Sequence, residues 1–123
     1  MTNHYYIYLG RENGKRVVHK VGKTRQTCYA RCKNADYKIG CAFELDTDMG
    51  ERLNKLALDA IENEILYIFK QHYKIEHGRE YFRTPKTYWE DIKPFFIEEM
   101  KKILDRWHME YTYYEGWVAP NTY

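Results

Sequence analysis

At 123 residues, 44% hydrophobic and 31% charged, the chain is long enough for one buried core and too apolar to stay disordered. No apolar run approaches the roughly 20 residues of a membrane helix, and the opening MTNHYY lacks the pattern of a secretory leader. Three cysteines, Cys28, Cys32 and Cys41, make no disulfide framework, so an intracellular, non-secreted setting (cytoplasmic or nuclear) is expected.

The net charge of +2 is unevenly spread. Residues 1–41 carry nine Lys/Arg against two acids, or +7, and residues 42–123 carry eleven against sixteen, or −5. A basic N-terminal part suits a polyanion such as phosphate, although a solvated hairpin explains it equally well.

The stretch Tyr5–Thr24 reads as a β-hairpin, with Asn13-Gly14 at its turn between β-branched and aromatic runs. Alternation puts Tyr6 and Tyr8 on one face of the first strand, and Tyr5, Ile7 and Leu9 on the other. On the second strand Val18, Lys20 and Gly22 oppose Val17, His19 and Val21. Thr24 can cap a helix over about residues 25–34 that carries Arg25, Arg31 and Lys33. A third strand is expected over 39–45. Asp46-Thr47-Asp48 then offers caps for the clearest helix, whose stripe runs through Leu53, Leu56, Ala57, Ala60, Ile61, Ile65, Ile68 and Phe69.

Residues 74–79 read as a polar connection. Thr87 to Glu90 fits a capping box opening a last helix, which Pro94 should either kink or delay to near Lys93. The tail beyond His108 is aromatic and open between strand, packed arm and partial disorder. The expected architecture is α+β: a three-stranded antiparallel sheet flanked by helices, in the order β-β-α-β-α-α. It forms one domain over 1–107, with 108–123 packed on it.

Several residues can carry chemistry. A phenol becomes a usable base when an ammonium stabilises its anion, which directs interest to Tyr6 and Tyr8 facing Lys20; plain cross-strand packing with a snorkelling lysine is the simpler alternative. The helix after Gly22-Lys23-Thr24 directs backbone donors toward an anion, and Arg31 can fork onto a phosphate. Glu80, in Gly78-Arg79-Glu80-Tyr81-Phe82, can hold a divalent cation together with substrate phosphate, or instead pair with Arg79 or Arg83. A zinc site from the cysteines and His19 lacks a second ligand pair.

Taken in order, these residues resemble the GIY-YIG nuclease superfamily, and within it the compact single-domain proteins of phages and large viruses. Tyr6-Ile7-Tyr8 stands for the first motif half and Lys20-Val21-Gly22-Lys23-Thr24 for the second. Arg31 comes nine residues after Gly22, and a helix with Glu62 and Phe69 precedes Gly78-Arg79-Glu80-Tyr81-Phe82. The resemblance covers about residues 5–83. It implies metal-dependent DNA hydrolysis. Tyr8 would activate or orient water, Lys20 would replace the second tyrosine and depress the pKa of Tyr8, Arg31 would stabilise the phosphoryl oxygens, and Glu80 would hold one Mg²⁺ or Mn²⁺. Lys23, Thr24, Arg25 and Lys33 would contact nucleic acid. Tyr6 stands where the family has glycine and can crowd the site. Ala35 falls where some members have a histidine or tyrosine, leaving Tyr37 or His19 to serve.

Three functions are compatible with these residues: a small endonuclease, a nucleic-acid-binding module on the same scaffold without cleavage, and an interaction protein docking through its aromatic tail. Tight DNA sequence recognition would require a homodimer or a partner.

Overall fold

The computed structural model describes residues 4–84, 88–119 and 122–123. In chain order the elements are β1 (Tyr6–Glu12), β2 (Val18–Thr24), α1 (Cys28–Cys32), β3 (Tyr37–Asp46), α2 (Glu51–His72), β4 (Lys74–His77), β5 (Tyr81–Arg83), α3 (Trp89–Arg106) and β6 (Glu110–Glu115). The strands build one antiparallel sheet in the order β4-β5-β2-β1-β3-β6.

The class is α+β, but the sheet among the described residues has six strands, not the expected three. The reason is length and polarity. β4 spans four residues and β5 three, too short for alternation to show. Residues 74–77, expected as a loop, form the edge of the sheet, and edge strands are commonly charged, as Lys74 and Glu76 are here. The tail adds the opposite edge, with Ala42 paired to Tyr114 and Phe43 to Tyr113.

The hairpin pairs Tyr8 with Gly22 and Gly10 with Lys20. At its turn the Lys15 N–H donates to the Glu12 carbonyl at 3.1 Å, and Gly14 takes φ +76°, a conformation glycine adopts without steric cost. On the other side of β1, Leu9 pairs with Cys41 and Gly10 with Ile39. Gly40 is therefore an extra residue in β3, a bulge that re-aims the rest of the strand.

The two faces divide the work. Tyr5, Ile7, Leu9, Val21, Cys41 and Phe43 pack beneath α2 and α3 in the larger core, together with Ile61, Ile65, Phe69, Phe96 and Met100. Each such side chain contributes roughly 1.5–3 kcal/mol by burial, so cohesion resides mainly here. The opposite face holds a smaller cluster of Tyr6, Tyr8, Cys28, Cys32, Tyr37, Ile39 and Ala42. That face has room for polar chemistry.

Helix boundaries depart from expectation at their caps. Thr24 ends β2 and does not cap a helix: its hydroxyl accepts from the Gln26 N–H at 3.1 Å, while Thr27 caps α1 by accepting from the Ala30 N–H at 3.2 Å. α2 starts after Gly50, secured by buried Asn54, whose Oδ1 accepts from the Thr47 hydroxyl at 2.8 Å and the Met49 N–H at 3.0 Å. α3 starts at Trp89, not Lys93, and runs through Pro94. Pro94 supplies no N–H to the carbonyl of Glu90, and Glu90 is exposed, where water can substitute. Thr87 of the expected capping box lies outside the described residues. No helix among the described residues is long and apolar enough to cross a membrane.

Candidate phosphate and cation site

Strand register brings Tyr8, Lys20 and Tyr81 to one face, since Gly10 and Tyr81 are the cross-strand neighbours of Lys20. The Lys20 ammonium lies 4.1 Å from the ring centre of Tyr37, 5.4 Å from Tyr81 and 5.8 Å from Tyr8. Its carboxylate partner is Glu80, at 3.4 Å. Burial pulls the Lys20 pKa down against the opposing pull of Glu80. The backbone carbonyl of Glu80 accepts from the Val21 N–H at 3.0 Å, so this acid is anchored to β2 even though it lies outside any strand.

Tyr8 is fully buried, and its phenol bonds that of Tyr37 at 2.8 Å. Burial raises its pKa, the Tyr37 phenol raises it further, and Arg31 opposes both. Lys20 faces the Tyr8 ring, but burial, not the ammonium, dominates the Tyr8 phenol and holds its pKa above the ordinary value. The ring also explains Gly22: a Cβ there would stand 2.5 Å from the Tyr8 hydroxyl. Arg31, on α1, lies 5.9 Å from the Tyr37 ring centre and acts electrostatically on Glu80 as well as on Tyr8.

A second carboxylate adjoins this group. Glu62, on α2, is 3% exposed. Its Oε1 accepts from Lys23 at 3.2 Å, and Lys23 also pairs with Asp59 at 2.8 Å. Its Oε2 is buried with no hydrogen-bond partner among the described residues, and Glu62 shares a cleft with Glu80. Burial raises the Glu62 pKa; Lys23 lowers it and Glu80 raises it again. From sheet to helix the charges run Lys20, Glu80, Glu62, Lys23, Asp59, with the two glutamates as like-charged neighbours between two lysines.

Two clefts meet at Lys23. One, of about 470 Å³, is lined by Lys23, Glu62, Arg79, Glu80 and Tyr81. The other, of about 400 Å³, is lined by Lys23, Thr24, Arg25, Arg31, Lys55 and Asp59 among others. The second concentrates four cations against one acid, which suits phosphate. The first offers two adjacent carboxylates, one with an oxygen lacking a donor, a donor set suited to Mg²⁺ or Mn²⁺ when a substrate phosphate completes the shell. No cluster of three His, Cys, Asp or Glu side chains suited to a metal occurs among the described residues.

Lys20, Arg31, Glu80, Tyr8 and Lys23 thus come together. Tyr6 does not join them; it packs between His4 (5.5 Å) and Tyr114 (6.0 Å), away from Lys20. His19 is on the opposite face, buried, 3.0 Å from the Thr84 hydroxyl and stacked on Trp89. Arg25 pairs with Glu51, and Lys33 is the exposed C-cap of α1. Motif spacing does not single out Glu62 as a site residue, although a signal is present. Leu58, Glu62 and Leu66 form one four-residue row of a buried helix face, an odd position for a carboxylate.

Neither a curated protein nor a solved structure matches the chain. The family model of the T5orf172 domain matches residues 3–108, and the chain belongs to that family.

Proposed function

We propose that this protein is a divalent-metal-dependent endonuclease of the GIY-YIG type that hydrolyses DNA phosphodiester bonds. The observation that carries the reading is the Glu62–Glu80 pair, with its donorless buried oxygen, beside a cleft lined by Lys23, Arg25, Arg31 and Lys55. Membership of the T5orf172 family and the ordered motifs of residues 5–83 support it.

Glu62 and Glu80 would hold one Mg²⁺ or Mn²⁺, which when bound supplies Lewis acidity and a more acidic water. Arg31 and Lys23 neutralise charge growing on the phosphoryl oxygens. Lys20 holds the Glu80 carboxylate in place. Tyr8, buried and bonded to Tyr37, orients the Lys20 end of the site as a protonated phenol.

The experiment is nicking of supercoiled plasmid with Mg²⁺ or Mn²⁺. Glu62→Ala and Glu80→Ala should each slow it by about 100-fold or more, and Tyr8→Phe by about tenfold. The burial of Tyr8, which leaves no activated phenol at the surface, favours a second reading: a binding module without cleavage. Folded protein that binds DNA in a salt-sensitive manner yet nicks nothing with either metal would establish that reading instead.

A further inference from the structure

Beyond the hairpin end of the site, a cleft of about 280 Å³ lies among Arg11, Glu12, Asn13, Gly14, Lys38 and Trp117. Trp117 is 42% exposed, a large apolar ring left in water. It is nevertheless firmly held. The flanking Gly116 N–H donates to the Gly40 carbonyl, and the Val118 N–H to the Ile39 carbonyl, each at 3.0 Å. Its indole packs on Trp89 at 4.5 Å between ring centres. The bulged Gly40 makes the space, since a Cβ there would come within 2.4 Å of Trp89 and 3.0 Å of Trp117.

Cations frame the ring. The Arg11 guanidinium lies 5.0 Å from the centre of the Trp117 ring, and that of Arg16 lies 5.4 Å from the centre of Tyr88, itself 47% exposed. Arg11, Arg16 and Lys38 have no carboxylate at ion-pair distance among the described residues, whereas Glu12, the acid of the cleft, is taken by Lys15 (2.8 Å) and His77 (2.5 Å). The exposed Trp117 ring, flanked by the half-buried Arg11 guanidinium and the exposed Lys38, matches a stacked base and its phosphate. A duplex buries its base faces and offers this cleft phosphates alone.

We propose that the Arg11–Trp117–Lys38 cleft is a platform for an unpaired nucleotide of single-stranded DNA, stacked on the Arg11–Trp117 planes with its phosphate toward Lys38. The proposal rests on the nucleic-acid reading of the Lys23–Arg31 groove, at the other end of the hairpin; Arg11 pairs with His19, one residue along from the Gly10–Lys20 pair.

The test is fluorescence anisotropy in EDTA with a labelled oligothymidylate of about 12 nucleotides and a duplex of equal length. Trp117→Ala and Arg11→Gln are expected to weaken single-strand binding by about tenfold and to leave duplex binding within about twofold; Trp117→Phe, which keeps both packing and stacking, should bind nearly as wild type. Arg11→Gln guards against misfolding in the tryptophan variant, and circular dichroism checks each. Unchanged single-strand affinity in folded Trp117→Ala and Arg11→Gln overturns the platform, as does an equal loss for duplex. If duplex binding persists and falls in Arg31→Ala, only the platform has failed. If neither oligonucleotide binds, the groove reading fails with it.

Discussion

Two residues show how closely the site is tied to the backbone. Gly22 lies under the Tyr8 ring, and an added Cβ would stand 2.5 Å from its hydroxyl. Tyr8 is buried and cannot swing away. Gly22→Ala should therefore cost about 1–3 kcal/mol and displace the Tyr8–Tyr37 bond, seen as a lower Tm and an altered near-ultraviolet tyrosine signal. Behind the same strand, burial lowers the His19 pKa from 6.5 to about 4, with Arg11 adding to the effect. A histidine depressed in the folded state binds its proton first in the unfolded chain. Its contribution is thus intact above pH about 6.5 and is lost as pH falls toward about 4, roughly 3 kcal/mol in all. Urea unfolding at descending pH should show that slope, and His19→Asn should flatten it.

At the scale of elements, the legible parts were those with period and punctuation. The hairpin faces followed from Tyr6 and Tyr8 alternating with Ile7 and Leu9 around Asn13-Gly14, and α2 followed from its repeating stripe. The short β4 and β5 were not legible, because runs of three or four residues show no period and pair only when β2 offers an edge. Glu80 is positioned by that pairing, so spacing pointed to Arg79 or Arg83 as its ion-pair partner and not to Lys20, which the structure places at 3.4 Å. The approach of Glu62 to Glu80 depends on how α2 lies on the sheet, a tertiary fact. The tail was undecided because Tyr111, Tyr113 and Tyr114 suit a strand and an arm equally. In the structure β6 covers β3, and Phe43 packs on Tyr111 at 5.2 Å and Tyr113 at 5.0 Å. Deleting residues 108–123 would strip β3 of its outer partner and expose Phe43. The shortened chain is expected to aggregate or lose cooperative melting, measured by size exclusion and thermal circular dichroism. A truncation cannot therefore separate a docking role for the tail from loss of the fold.

Across the whole molecule, stability and chemistry lie on different sides of one sheet. The α2–α3 side carries the larger apolar core. The other carries the tyrosine cluster and the caged Lys20, while the clefts that meet at Lys23 are walled by α2. α2 serves both, as β1 and β2 do, with Ile61 and Ile65 in the core and Glu62 at the edge of the site. A carboxylate buried with an oxygen lacking a donor costs stability unless something positive meets it. On the proposed function, Glu62 and Glu80 would hold a divalent cation that supplies that charge. The most direct measurement is an electron paramagnetic resonance titration of the intact protein with Mn²⁺. One ion per chain should bind, with Glu62→Gln and Glu80→Gln each abolishing it while surface Glu98→Gln does not. Absence of bound Mn²⁺, or binding indifferent to both glutamates, would contradict the metal-dependent reading.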